Sequence, residues 1–256
     1  MRITTYILLF MLPCIAVAQG SETVTVHHTK ATGDSLYINN DYAGAIAVYE
    51  DILATDGEAA DIYYNLGNAY YKSNEIAKAI LNYERALLLA PSDGDIKFNL
   101  ALAQSKIVDK VSEPYRVFFA VWVENVINAL AMSTWAVVGI VAFIIFLLAM
   151  LLFLFSNKMG ARKTGFVFAI ILLVTTIFAN IAAWHQHDKM TNRTRAIITQ
   201  PSVTAKSTPD ASGTDLFVIH EGRKVNITDD TMRGWKEIEL EDGTMGWVPA
   251  TVLEKI

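Results

Sequence analysis

The sequence predicts a multidomain membrane protein that combines an all-α repeat solenoid, a two-helix transmembrane hairpin and a small all-β domain. Three observations predict this arrangement. A pattern of small and aromatic residues recurs in the N-terminal part, two long apolar segments occupy the middle, and short alternating runs lie near the C-terminus. The composition agrees with a membrane protein, because 53% of the residues are hydrophobic and only 18% are charged.

The repeat pattern is clearest in residues 61–91, where aromatic, small and apolar residues recur at helical spacing. The spacing predicts two helices with one apolar stripe each, and small residues where the helices cross. Pro91 ends the second helix, after which Ser92 or Asp93 can cap the next one. The pattern resembles the 34-residue helix-turn-helix unit of the tetratricopeptide repeat family, at Tyr63, Leu66, Gly67, Tyr70, Ala79, Tyr83, Ala86 and Pro91.

The same pattern recurs on both sides of this unit, which predicts a repeat domain over residues 26–110. The preceding unit has small and aromatic matches at Gly33, Ala45, Tyr49 and Ile52. Thr29 and Thr32 replace its aromatic residue and its leucine, so we expect its start to be frayed or remodelled. A third first helix begins near Asp95 and closes the stack, and we expect it to end at Pro114.

The concave face of such a stack is where a protein partner would lie. A lysine at position 64 and a basic residue near position 99 are typical of repeats that bind a C-terminal carboxylate, and neither is present. The groove is aromatic and mildly acidic, which favours a partly apolar or basic segment. A purely structural role remains the alternative for Tyr64, Asn68, Tyr71 and Lys72. The groove-facing residues are Asp34, Tyr37, Asp61, Tyr64, Asn68, Tyr71, Lys72, Asp95, Phe98 and Leu102.

Two apolar segments, residues 135–156 and 164–184, contain no charged side chain and reach the roughly 20 residues that a bilayer-spanning helix requires. Helices buried in a soluble core are the alternative. Trp135 and Trp184 stand at the outer ends of the segments, as interfacial anchors do. Gly165, with Ala169 and Asn180, indicates packing between helices, either within the hairpin or with a partner.

Residues 1–18 resemble a secretory signal peptide, since an apolar run ends in Ala16-Val17-Ala18. The only cysteine, Cys14, suggests a lipoprotein as an alternative, but Pro13 stands where a lipobox needs a small residue. A signal followed by two spans predicts that both soluble domains lie outside the cytoplasm. The loop 157–163 is then cytoplasmic, and its basic residues agree with the positive-inside rule: Lys158, Arg162 and Lys163.

Residues 111–134 mix aromatic and apolar residues with few charges. An amphipathic helix in the membrane interface is one interpretation, and an apolar connector packed under the repeats is the other.

The hydrophobic pattern changes to a period of two residues in 196–256, where β-branched runs are separated by clusters of Pro, Gly, Asp and Ser. Asp242-Gly243 is a hairpin signal. The closing segment resembles a bacterial SH3-like barrel at Trp235, Gly246, Trp247 and Pro249. The resemblance implies a docking module for proteins or for peptidoglycan peptides, and Val252 replaces the last tyrosine of a polyproline-binding groove.

The usual catalytic motifs do not occur in this sequence. His185 and His187 form a histidine pair that could begin a metal site, but a specific zinc site needs three or four protein ligands. We therefore expect no enzyme activity, no cofactor, no bound metal and no nucleic-acid partner.

The order of domains resembles the BatE family of the Bacteroides aerotolerance (Bat) operons. The resemblance implies a protein of the bacterial inner membrane, facing the periplasm. It also implies partners, namely von Willebrand factor A-domain membrane proteins and a MoxR-type ATPase. Two functions stay open: a scaffold that holds protein partners at the membrane, and a cell-wall sensor or tether that binds peptidoglycan peptides through the SH3-like domain.

Overall fold

The structure, a computed structural model, describes residues 28–109 and 118–256. The region predicted as a signal peptide lies outside them. Two helix pairs and a closing helix form the N-terminal stack: α1 (Lys30–Ile38), α2 (Tyr42–Thr55), α3 (Ala60–Lys72), α4 (Ile76–Leu89) and α5 (Gly94–Gln104). The turn inside each pair uses a left-handed asparagine, Asn40 with φ 63° and Asn74 with φ 64°, so the turns repeat with the helices.

The ends of these helices follow local capping chemistry. Asp93 caps α5, because its Oδ1 accepts hydrogen bonds from the backbone of Asp95 at 2.9 Å and Ile96 at 3.1 Å. Thr29 caps α1, which has 9 residues where α3 has 13, so the start of the first unit is remodelled. The expectation that α5 continues to Pro114 is wrong, since the helix ends at Gln104.

The core of the stack consists of the apolar stripes that the repeat pattern predicted, with Leu66, Tyr70, Ala79 and Tyr83 buried. The small size of Gly67 has a different cause from the one expected. A Cβ atom at Gly67 would lie 2.7 Å from the ring of Tyr83, so the glycine makes room for an aromatic side chain rather than for a helix backbone.

Three helices follow: α6 (Phe118–Ile127), α7 (Met132–Phe155) and α8 (Met159–Thr191). α7 and α8 are long and apolar enough to cross a membrane, and only 11% and 17% of their most apolar windows are buried. That exposure differs from the burial of a core helix in a soluble domain. The helices pack through small residues, and a Cβ atom at Gly165 would lie 2.9 Å from the carbonyl oxygen of Ala149.

α6 packs beside the end of α8. The Nε2 atom of Gln186 donates to the carbonyl oxygens of Ile127 at 2.7 Å and Leu130 at 2.9 Å. Trp135 is buried and donates from its Nε1 atom to Ile127 at 2.8 Å, so its prediction as an exposed interfacial anchor is wrong. Trp184 is 67% exposed.

The C-terminal part is one antiparallel sheet of seven strands in the order β3-β2-β6-β5-β4-β1-β7. The sheet is open, because no ladder joins β3 to β7 within residues 195–256, and the prediction of a closed barrel is not confirmed. The predicted hairpin at Gly243 joins β5 to β6. The strands are β1 (Arg195–Ile198), β2 (Ser202–Lys206), β3 (Asp215–His220), β4 (Lys224–Asp229), β5 (Trp235–Glu239), β6 (Met245–Pro249) and β7 (Leu253–Lys255).

The sheet docks on α4, the second helix of its repeat unit. Ile197 of β1 lies in the same apolar cluster as the repeat core. The buried Glu84 of α4 accepts two hydrogen bonds from Lys224 Nζ, at 2.8 and 2.9 Å. His220 binds Asp109, beyond the end of α5, through its backbone N–H and its Nδ1 atom.

Candidate protein-binding groove

The first helices of the three units, α1, α3 and α5, lie side by side and carry the predicted groove residues. The second helices, α2 and α4, lie behind them, and the sheet packs on α4. The sheet therefore occupies the side opposite the groove, so its docking leaves the first helices accessible.

A hydrogen-bonded triad fixes the groove between the first two units. Asp34 Oδ1 accepts from Tyr49 Oη at 2.6 Å and from Asn65 Nδ2 at 2.9 Å. The acceptor thus joins α1 to its own second helix and to the first helix of the next unit. We call this arrangement the repeat triad.

The repeat triad recurs one repeat length later with an amide in place of the carboxylate. Asn68 Oδ1 accepts from Tyr83 Oη at 2.8 Å and from Asn99 Nδ2 at 3.0 Å. Asn99 also donates to Tyr64 Oη at 3.0 Å, and the Tyr64 ring lies 6.1 Å from that of Tyr83. Asn68 and Tyr64 therefore hold neighbouring units together, which is the structural role left open by the sequence.

The side chains that project from the groove are those outside the triads. Phe98 is 70% exposed and Leu102 is 42% exposed, both on α5. Leu102 stands where a third triad would need a polar acceptor, so the network ends there and α5 presents an apolar face. Asp61 and Lys72 are also exposed.

The remaining two aromatic residues are half-buried. Tyr37 packs edge-on against Tyr42, with ring centroids 5.4 Å apart. Tyr71 lies beneath the ammonium group of Lys106, which is 4.2 Å from the ring centroid. The cation–π contact places a positive charge at one end of a groove that also carries Asp61.

The electrostatics of the triads differ because their acceptors differ. Burial alone would raise the pKa of the Asp34 carboxyl, but hydrogen bonds from Tyr49, Lys30 and Asn65, with the charge of Lys30, hold it below its usual value. Burial raises the pKa of the Tyr83 phenol, whose protonated hydroxyl donates to Asn68.

Comparison with known families agrees with this geometry. A model described as a tetratricopeptide repeat matches residues 60–93, and a second, described as a TPR repeat, matches residues 33–74. The chain contains tetratricopeptide repeats. The predicted tetratricopeptide repeats are thus confirmed. This repeat is a non-catalytic motif that mediates protein–protein interaction. No curated protein matches the chain.

Sequence reasoning missed two members of the tetratricopeptide repeat network, Asn65 and Asn99, and the groove cation Lys106. The signal for the asparagines was the repeat length itself, since they occupy equivalent positions in successive units. Lys106 carried the same signal, because it lies one repeat length after the groove residue Lys72, although it falls beyond the end of α5.

Within residues 28–109 and 118–256, no group of three or more His, Cys, Asp or Glu side chains is placed to hold a metal ion. The pair His185 and His187 lies on the last turns of α8.

Proposed function

We propose that the protein is a membrane-anchored scaffold whose tetratricopeptide repeats bind a segment of another protein. The observation that carries this proposal is the apolar face of α5, where Phe98 and Leu102 are exposed on the side that the docked sheet leaves accessible. Exposed aromatic and aliphatic side chains beside a groove are typical anchors of an interface.

The neighbouring charges indicate the chemistry of that segment. Asp61 and Asp95 are exposed on α3 and α5, and Lys72 lies at the end of α3. We therefore propose a segment with one or two apolar anchors and a basic flank, which complements the acidic residues.

Substitution at the groove tests this proposal. We expect Phe98→Ala with Leu102→Ser to reduce photo-crosslinking of the full chain to membrane proteins of its native cell by about tenfold, because hot-spot residues contribute about 1–2 kcal/mol or more each. The matched control is Leu216→Ser with Val218→Ser, which removes two exposed apolar side chains from β3. Loss only in the control would place recognition in the sheet.

We propose that α7 and α8 cross the bacterial inner membrane with both soluble domains in the periplasm. The signal-like residues 1–18 and the basic loop with Lys158 and Arg162 support this orientation. Alkaline phosphatase fused after Pro91 or after Ile256 should be active, and a fusion at Met159 inactive. An inactive C-terminal fusion would contradict two spans.

The resemblance to BatE proteins supports a place in a Bat complex, with von Willebrand factor A-domain membrane proteins as partners and a MoxR-type ATPase linked to them. We also propose that the sheet is an SH3-like docking module. A hairpin of β5 and β6, followed by a 3₁₀ turn at Ala250–Val252 and the short strand β7, supports that resemblance. Co-purification of the full chain with an A-domain protein, abolished by the groove variant, is the expected result.

A second candidate function is a cell-wall tether. One observation favours it: β3 is an edge strand of the open sheet, and its Leu216 and Val218 are about half exposed. An edge strand can pair with an extended peptide, such as a peptidoglycan stem. Sedimentation of the full chain with isolated sacculi, lost on Val218→Pro but kept in the groove variant, would favour the tether.

A further inference from the structure

A second site lies where the repeats, α6, α8 and the sheet meet. These elements enclose a cleft of about 310 Å³, within the range of small-ligand sites. Two glutamate and five cationic side chains line it, an excess of three positive side-chain charges in a chain whose net charge is −5. The cationic residues are Lys97, Lys189, Arg193, Arg195 and Lys224.

Three of these cations have carboxylate partners. Lys224 pairs with Glu84 at 2.8 Å, Lys189 pairs with Glu124 at 3.0 Å, and Arg193 pairs with Glu58.

The other two, Lys97 and Arg195, form no ion pair with any residue in the described ranges 28–109 and 118–256. The cleft therefore presents two cations that no described carboxylate neutralises, and such a site favours an anion.

The depth of the cleft relative to a bilayer follows from the length of α8. Its apolar segment ends at Trp184, and at about 1.5 Å per residue Lys189 lies about 7.5 Å farther along the helix. The headgroup layer of each leaflet is about 5–8 Å thick, so Gln186 and Lys189 reach the depth of the lipid phosphates. Both side chains line the cleft.

The surroundings are suited to a lipid. Three aromatic residues of α6, Phe118, Phe119 and Trp122, are 84%, 67% and 55% exposed beside the end of α8. Of these, Trp122 is the residue type that is enriched at the membrane interface, and the two phenylalanines add exposed apolar surface beside it. Leu87 and Leu88 supply an apolar wall within the cleft itself.

We propose that the cleft binds the phosphate group of an anionic glycerophospholipid, with Lys97 and Arg195 as its direct cationic partners. The inference rests on the proposed span of α8 and goes beyond the scaffold function. A bound lipid would join the repeats, the sheet and the membrane helix at one point, because each contributes lining residues.

Native mass spectrometry of the detergent-solubilised full chain tests the site. We expect phosphatidylglycerol to remain bound where phosphatidylcholine dissociates, and Lys97→Gln with Arg195→Gln to weaken phosphatidylglycerol binding on the order of tenfold. Neither substitution leaves a described carboxylate without its partner, so thermal unfolding without added lipid should not change.

The control is Lys158→Gln with Lys163→Gln, which removes the same charge from the opposite membrane end. An equal loss in the control would reveal general attraction of anionic lipid and overturn the site. So would unchanged binding in the cleft variant. If inorganic phosphate at the same concentration as the lipid displaces phosphatidylglycerol, the cleft is a site for a soluble anion instead.

Membrane association is measured separately. A full chain that stays in solution without detergent would contradict the proposed spans. A chain that inserts but does not distinguish the two lipids would overturn the lipid site alone.

Discussion

At the scale of single residues, the contact between a glycine of the first helix and a tyrosine of the second decides how closely each repeat unit packs. Gly33 faces Tyr49, and Gly67 faces Tyr83. Both tyrosines are fully buried and hydrogen-bonded in the repeat triads, so neither ring can move aside. The repeat pattern thus requires a glycine that leaves room for the tyrosine ring, in addition to the residues that make contacts.

We expect Gly67→Ala to destabilise the repeats by about 1–3 kcal/mol, because the new methyl group would lie 2.7 Å from the Tyr83 ring. Amide hydrogen exchange of α3 and α4 in the full chain measures this. The control is Gly94→Ala, where a Cβ atom meets no atom within 4 Å. Equal protection in both variants would show that the close contact is relieved at little cost.

The two repeat triads also predict a difference in acid sensitivity. The pKa of Asp34 is lowered in the folded chain, so its contribution to stability is complete above the ordinary carboxyl pKa of about 4. It is lost as the pH falls through the lowered folded value. The second triad, with Asn68 as acceptor, has no such dependence.

We expect Asp34→Asn to remove this part of the acid sensitivity of α1 and α2, because it reproduces the acceptor of the second unit. The measurement is the hydrogen-exchange protection of the first unit in both chains, compared between about pH 6 and about pH 3, which lie on either side of the ordinary carboxyl pKa. Loss of protection at pH 3 that is the same in both chains would contradict the assignment.

At the scale of elements, α5 depends on its cap because the described residues, 28–109 and 118–256, place no second helix of its own unit behind it. We expect Asp93→Ala to cost about 1 kcal/mol, since it removes the acceptor of two backbone N–H groups. Local exchange protection of α5 measures the change. Ser92→Ala, one residue earlier and outside the cap, should stay within about 0.5 kcal/mol of the parent chain.

The sequence predicted most elements of the repeats because their signals are local and periodic. Leu66 and Tyr70 are buried at helical spacing, and the cap of α5 is a short-range motif. The end of α5 could not be predicted, because tertiary contacts override helix propensity. Ile107 packs against Gly222, and Asp109 binds His220, both distant in sequence.

The sequence did not divide the proposed groove residues into those that hold helices together and those that project from the surface. Asp34 and Asn68 are polar, as residues of a recognition surface often are, yet their side chains accept hydrogen bonds that join neighbouring helices. Trp135 was similarly misassigned, since its partner Ile127 lies in a helix whose placement the sequence left open. Periodicity identifies a face of a helix, but not what covers that face.

At the scale of the whole molecule, a buried ion pair is among the contacts that dock the sheet on the repeats. We expect Lys224→Gln to weaken docking by roughly 3 kcal/mol, because it leaves the carboxylate of Glu84, whose side chain is 7% exposed, without its cation. Exchange protection of β4 and α4 should fall together.

Lys236→Gln is the matched control for that prediction, since its partner Asp230 is 50% exposed and the pair is 3.7 Å apart. An exposed pair of this kind contributes about 0–1 kcal/mol. Equal effects of the two substitutions would mean that the docked arrangement does not depend on the Glu84 pair.

The short link after α8 limits how far the protein can reach. β1 begins at Arg195, and the residues between it and Thr191 are held by hydrogen bonds, including that of Asn192 to Asp188 and that of Arg193 to Glu58. Even fully extended, three residues span only about 10 Å. With α8 in a bilayer, this short link would keep the docked sheet and the repeats near the membrane. The groove could then reach only partners close to the lipid surface. A partner would have to offer its segment close to the membrane, as a neighbour in the same bilayer does.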